Sequence, residues 1–187
     1  MFTQFLAFSG VLMNMTISKA SLDDWQTVQN LARFYVYDMA RYCGFLPGWE
    51  TPPNGLYTCD DLSSYFTDSD RYSFLIKVDH ELAGFVLINK VGSIPEVDWN
   101  MGEFFVISKF QGKGVGRTAA EQIFMQFPGL WEVMQIPENK GAIAFWNKVI
   151  QRYTNGHFMH TQTLIPKPIA HIMEVLRFDS LLNFNHL

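Results

Sequence analysis

A chain of 187 residues, 48% of them hydrophobic and 17% charged, carries enough apolar material for one sizeable core and lacks the bias of a disordered or collagen-like sequence. Eighteen acidic residues against fourteen basic ones give a formal charge of −4, which argues against nucleic acid as the main partner. The N-terminal apolar run FLAFSGVLM, residues 5–13, falls short of the about 20 residues that a spanning helix needs and has no Lys or Arg ahead of it, so no membrane span and no secretory signal is expected.

Met13 and Met15 offer later starts, so residues 1–14 read as an N-terminal extension ahead of a single domain over 15–187. The expectation is a soluble, cytoplasmic protein. Cys43 and Cys59 have no metal-like spacing and read as reduced structural thiols. Thr16 to Lys19 is a short strand. Ser21 with Asp24 three residues on is close to a capping box. Trp25, Val28, Leu31, Ala32, Tyr35, Met39 and Tyr42 then recur at helical spacing up to Gly44. A Pro-, Gly- and aromatic-rich loop covers 45–59, and Asp60 to Phe66 reads as a short second helix.

Ser73 to Val78 and Leu82 to Val91 form a hairpin across Asp79, His80 and Glu81, and a third strand runs from Trp99 to Ser108. Arg117 to Gln126 is a helix ended by Pro128 and Gly129. Leu130 to Ile136 is a strand, Asn139 to Tyr153 a helix, and His157 to Ile165 and Ala170 to Phe178 are closing strands. The order is β-α-α-β-β-β-α-β-α-β-β. The strand–helix–strand unit in it should be parallel.

Between the third strand and the helix after it, Gly112, Gly114 and Gly116 stand at alternate positions. Glycines there permit a tight turn onto a helix N-terminus, where unpaired N–H groups and the helix dipole favour an anion such as phosphate. Lys113 and Arg117 add positive charge. The dinucleotide fingerprint G-x-G-x-x-G fails at Arg117, and the P-loop's Gly-Lys-Ser/Thr does not occur. On the glycines alone, a phosphate cradle and a plain strand-to-helix turn both remain open.

Gln111, Gly114 and Gly116 meet the pattern [QR]-x-x-G-x-[GA], and Asn139, Ala142 and Trp146 meet a second one: an Asn opening the helix after the next strand, a small residue three on and an aromatic seven on. Together they resemble the two signatures of the GNAT superfamily of acetyl-CoA-dependent N-acetyltransferases. The resemblance spans residues 16–165. It implies an α/β (α+β) fold: a mixed, mostly antiparallel central sheet flanked by helices, with a splayed strand pair forming an acetyl-CoA cleft. It also implies acetyl-CoA as co-substrate. Gln111, Gly112, Lys113, Gly114, Val115 and Gly116, with Arg117 beside them, would bind its pyrophosphate. The backbone near Phe105 and Val106 would pair with its pantetheine arm, and Asn139 would hydrogen-bond on the pantetheine side.

The reaction implied is direct attack of a primary amine on the thioester in a ternary complex, with a small molecule or a peptide as acceptor and no nucleic acid or membrane as partner. Glu103, on the strand before the loop, is the favoured base, because alternation places it with Phe105 and Ile107 and burial would raise its pKa. A Glu that faces solvent or pairs with Lys is the alternative, and Glu132 on the next strand is the reserve base. Where the family often has a Tyr acid, this chain has Trp146, whose indole N–H donates but is no usable acid. Trp146 would orient the sulfur, pack the cofactor or fill the core. The Gly-Phe that often closes the second signature is replaced by Asn147-Lys148-Val149-Ile150. Acceptor contacts are sought among Tyr35, Tyr37, Asp38, Arg41, Trp49, Tyr57, Asp60 and Asp61, with Trp99, Asn100 and Met101 as further lining. No metal is assigned, since His80, His157, His160, His171 and His186 show no ligand spacing. A homodimer is expected from the family's use of edge strands. The rival reading is a non-catalytic acyl-CoA-binding sensor or interaction module.

Overall fold

The computed structural model describes residues 2–8, 11–44, 46–166 and 170–181. The described strands are β1 (Phe2–Phe8), β2 (Val11–Lys19), β3 (Arg71–Val78), β4 (Glu81–Asn89), β5 (Trp99–Val106), β6 (Leu130–Gln135), β7 (Met159–Ile165) and β8 (His171–Asp179). The helices are α1 (Trp25–Cys43), α2 (Ser64–Thr67), α3 (Val115–Gln126) and α4 (Lys140–Tyr153). Hydrogen bonding orders the strands β1-β2-β3-β4-β5-β6-β8-β7. Pairing is antiparallel at β1/β2, β2/β3, β6/β8 and β7/β8, and parallel at β5/β6. This is the mixed, mostly antiparallel sheet with flanking helices that the sequence implies.

The residues cluster into two compact units, Met1–Leu87 with Glu103–Gly116, and Ile88–Gly102 with Arg117–Leu187. In the first, α1 lays Val28, Leu31 and Ala32 against Leu75, Phe85, Leu87 and Phe105. A fully buried side chain the size of Val or larger contributes roughly 1.5–3 kcal/mol relative to exposure. The carboxylate of Asp24 accepts from the Ser21 N–H (2.8 Å) and Oγ (2.9 Å), which turns the chain through a 3-10 turn into α1. Asp79 (φ 50°) and His80 (φ 69°) make the β3–β4 hairpin turn with both residues left-handed. Asp79 is pinned to Asn14 of β2, donating to its carbonyl and accepting from its N–H, each at 2.9 Å.

The N-terminal strands and the second helix differ from the sequence reading. The strand expected at Thr16 begins at Val11, and β1 pairs with it from Phe2 on. Met13, Met15 and Ile17 are buried while Asn14, Thr16 and Ser18, which alternate with them, are less so, the pattern of a half-buried strand. Of the stretch read as an extension, Met1, Ser9 and Gly10 lie outside the described residues, as do Phe45 of the expected loop and His186. The helix expected over Asp60 to Phe66 shrinks to the single turn of α2. Asp61 explains this: its carboxylate takes the Ser63 N–H (2.9 Å) and Oγ (2.8 Å), a local bond that competes with helix.

In the second unit, Phe124 of α3 is the hub of an aromatic core. Its ring centroid lies 5.0 Å from Trp131 of β6, 4.8 Å from Phe178 of β8, 5.3 Å from Tyr153 and 6.3 Å from Trp146 of α4. Trp131 Nε1 donates to the Phe127 carbonyl at 2.7 Å, so the buried indole leaves no polar atom stranded. The parallel β5/β6 register matches Trp99 through Met101 to Trp131 through Val133. No helix among the described residues is long and apolar enough to cross a membrane. Cys43 and Cys59 are unbridged thiols.

Candidate active site

The end of β5 and the glycine segment are locked by a short 3-10 turn over Ser108–Phe110 with Phe110 buried beneath it. Gln111 folds its side chain back, Nε2 donating to the Val106 carbonyl at 2.7 Å. That bond fixes the corner and engages one carbonyl of the backbone stretch, near Phe105 and Val106, expected to pair with the pantetheine arm. The glycine spacing has two different causes. Gly112 (φ 72°) and Gly114 (φ 85°) are left-handed, where a side chain is strained, whereas Gly116 lies inside α3. α3 starts at Val115, two residues before the expected Arg117, and Val115 is wholly buried. The first N–H groups of a helix have no intrahelical acceptor, and this end of the dipole is positive. Arg117 in the same turn has a buried Nε with no hydrogen-bond partner. A positive helix end with a guanidinium in its first turn and left-handed glycines ahead of it is chemically suited to an anion such as a pyrophosphate.

Glu103 of β5 keeps some solvent contact at its surface, but protein surrounds its carboxyl. Burial pushes that carboxyl up to about 7; a hydrogen bond from the Tyr35 hydroxyl acts the other way, and the charge of Asp60 adds to the rise. Phe105, two residues on, packs with Phe85 at 5.9 Å between centroids. Gly84 of β4 makes this arrangement possible, because a Cβ there would collide with the Phe105 carbonyl oxygen. The sequence reading passed over Gly84; a lone glycine in the middle of an apolar strand was its only signal.

Glu132, the reserve base, is fully buried and fully engaged. Its two oxygens accept from the Ser93 N–H (2.7 Å), Ser93 Oγ (2.6 Å) and Arg177 Nε (2.7 Å), and Arg177 Nη2 donates to Ser93 Oγ at 2.6 Å. A carboxylate held by this many donors and closed to water offers a reacting amine no free oxygen to approach. Ser93 and Arg177 were not singled out from sequence, since nothing local marks them.

Trp146 is 6% exposed and packs against Phe145 (4.9 Å) and Phe124, so it is part of the aromatic core of its unit. Asn139 stands at the N-cap of α4, its Oδ1 accepting from the Ala142 N–H at 2.9 Å. Among the residues considered for the acceptor, Tyr37 and Tyr57 stack edge to face at 5.6 Å, and Tyr57 Oη lies 3.1 Å from Thr51 Oγ1. Asp61 is committed to Ser63, as described above. Trp99 packs on Phe127 (4.9 Å), and buried Asn100 donates to Asn89 Oδ1 at 3.4 Å.

Comparison with known proteins gives a consistent answer. The fold resembles an acetyltransferase from Thermus thermophilus, with TM-score 0.60 and 18% identity over 88% of this chain and 97% of that one. It resembles the GNAT domain of S. lividans PAT, with TM-score 0.60 and 16% identity over 95% of this chain and 96% of that one. It also resembles yncA of Salmonella typhimurium, solved with its cofactor acetyl-CoA, with TM-score 0.58 and 12% identity over 89% of this chain and 94% of that one. The family described as "Acetyltransferase (GNAT) family" matches residues 25–150, most of the chain, and the match includes the glycine segment, Glu103 and Asn139. The chain belongs to the GNAT acetyltransferase family.

Proposed function

We propose that the protein transfers an acetyl group from acetyl-CoA to a primary amine, carried by a small molecule or a peptide, by direct attack in a ternary complex. Acetyl-CoA supplies the activated thioester. The observation that carries the reading is Glu103, a buried carboxyl held near neutral ionisation on the strand that leads into the glycine segment. Its ionised form would take the proton that the attacking nitrogen must lose, and a base of this strength is matched to neutral pH. The N–H groups of Gly112 to Gly116, with Lys113 and Arg117, would hold the pyrophosphate, and the β5 backbone at Phe105 and Val106 would steady the pantetheine arm. Gln111 would act through its backbone, its side chain serving as the clamp on Val106. Glu132 and Trp146 take structural roles in this reading. The acetyl-CoA bound to yncA supports the choice of co-substrate.

A second reading, a non-catalytic acyl-CoA sensor, is favoured by one observation: the position where the family often has an acidic Tyr holds the buried Trp146. One experiment separates the two. Thermal-shift titration with acetyl-CoA is followed by a panel of amines read through released thiol. Stabilisation with thiol release is the expected result. Stabilisation with no release from any amine class would favour the sensor. No stabilisation would reduce the glycine segment to a turn.

A further inference from the structure

Along β6, strand alternation turns Trp131, Val133 and Gln135 to one face of the sheet. That face is a covered one: Trp131 packs on Phe124 of α3, and Val133 is buried beside it. Gln135 continues the row at 4% exposed, and neither its amide oxygen nor its amide nitrogen has a hydrogen-bond partner. Buried polar side chains are almost always paired, so an amide unpaired at both ends points to a ligand. Its neighbour across the sheet is committed elsewhere. Glu174 of β8, directly opposite, has its Oε2 2.7 Å from His160 Nε2, and its Oε1 accepts from Gln162 Nε2 at 2.9 Å. The parallel ladder with β5 ends at Met101 and Val133, so among the described residues Gln135 has a strand partner in β8 only. Immediately afterwards the chain turns into α4. The Asn139 N–H donates to the Ile136 carbonyl at 3.1 Å, and Asn139 caps the helix.

We infer that Gln135 is a binding residue for acetyl-CoA, its side-chain amide pairing with an amide of the pantetheine arm. The inference rests on acetyl-CoA as co-substrate and adds a residue that neither sequence signature contains. The chemistry of the unpaired group selects the ligand. A primary amide offers N–H donors and a carbonyl acceptor. An anion would satisfy only the donors and a cation only the acceptor. Another amide presents a donor and an acceptor together and meets both. Such an amide comes from the arm of acetyl-CoA or from a peptide acceptor, and the burial favours the arm. Much of pantetheine is an unbranched chain, slender enough to reach so enclosed a group, whereas a peptide carries a side chain at nearly every residue. The end of the ladder favours it too, because an extended chain can lie beside a strand that has lost its neighbour.

The test is Gln135→Leu in the full chain, which nearly conserves volume and removes the amide. The melting temperature is read without ligand, and the Kd values of acetyl-CoA and of ADP are read with no acceptor present. ADP has a pyrophosphate but no arm. The free variant is expected to melt higher than wild type, since a buried polar group without a partner is gone. Its acetyl-CoA affinity is expected to fall about ten-fold, the size of a pair of hydrogen bonds, while ADP affinity stays within about two-fold. An unchanged acetyl-CoA affinity overturns the inference and leaves Gln135 to a buried water or to a peptide acceptor. Equal losses for the two ligands also overturn it, because the arm is then not what Gln135 holds. A wild type that does not bind acetyl-CoA sinks the co-substrate reading itself, and the inference with it. Should the variant fail to fold, the wild type decides: the assigned side-chain NH2 signals of Gln135 must shift in 15N NMR on adding acetyl-CoA and not on adding ADP. Signals that acetyl-CoA leaves in place overturn the inference.

Discussion

Glu103 and Glu132 are both enclosed by protein, one in each compact unit, and their chemistry differs because of what encloses them. Glu132 meets a guanidinium, a hydroxyl and a backbone N–H. Glu103 is enclosed without a counter-charge, with the Tyr35 phenol and the negative charge of Asp60 acting on it. Burial with a counter-charge makes a structural ion pair; burial without one makes a carboxyl that exchanges its proton near neutrality. Sequence position alone, a Glu on each of two successive strands, does not tell these apart.

The largest effect expected is on stability. Glu132→Ala strands Arg177 and should lower the unfolding free energy by about 3–5 kcal/mol in urea titration. A loss below about 1 kcal/mol would place the pair among exposed ones and erase the contrast. Next comes Glu103→Gln, which should reduce kcat at pH 7 by about 100-fold without loss of stability. Rates near wild type would end the base assignment. Gly114→Val strains a left-handed position by about 1–2 kcal/mol and should weaken acetyl-CoA binding several-fold in a folded protein. At the start of the other long helix, Asn139→Ala should lower stability by about 1 kcal/mol through loss of the cap. A fall in acetyl-CoA affinity beyond that would reveal a ligand contact as well. The smallest effect is a pH dependence. The folded-state pKa of Glu103 is raised from 4.5 to about 7, so between those values the folded protein holds a proton that the unfolded chain has lost. Its contribution to stability is full below pH 4.5 and is lost as pH rises through 7. The melting temperature of Glu103→Gln should therefore gain on wild type between pH 5 and pH 8, a window of about three units. A constant gap would mean an ordinary pKa.

The parts of the fold that were legible in the sequence are those set by local chemistry. Ser21 with Asp24, the Asp79–His80 turn, the Asn139 cap and the two left-handed glycines are each decided within a few residues. The β1–β2 pairing was not, because a short apolar run with Ser9 and Gly10 in it reads equally as tail, strand or buried segment. The long-range contacts were beyond local reading for a different reason. Arg177 is 45 positions from Glu132, and Tyr35 reaches Phe85 and Phe105 only after α1 folds over β4 and β5. Periodicity placed Tyr35 on the buried stripe; it could not reveal that the ring would lie against Phe85 and Phe105.

Gly84 has a consequence for how such a protein can change. Every amino acid other than glycine carries a Cβ, so every missense change in that codon sets an atom against the Phe105 carbonyl. The position has no small step available to it, and mutational drift should leave it untouched while its apolar neighbours exchange among side chains of like volume. In a set of related sequences it would then stand out as invariant and invite a catalytic role, when its task is to be absent.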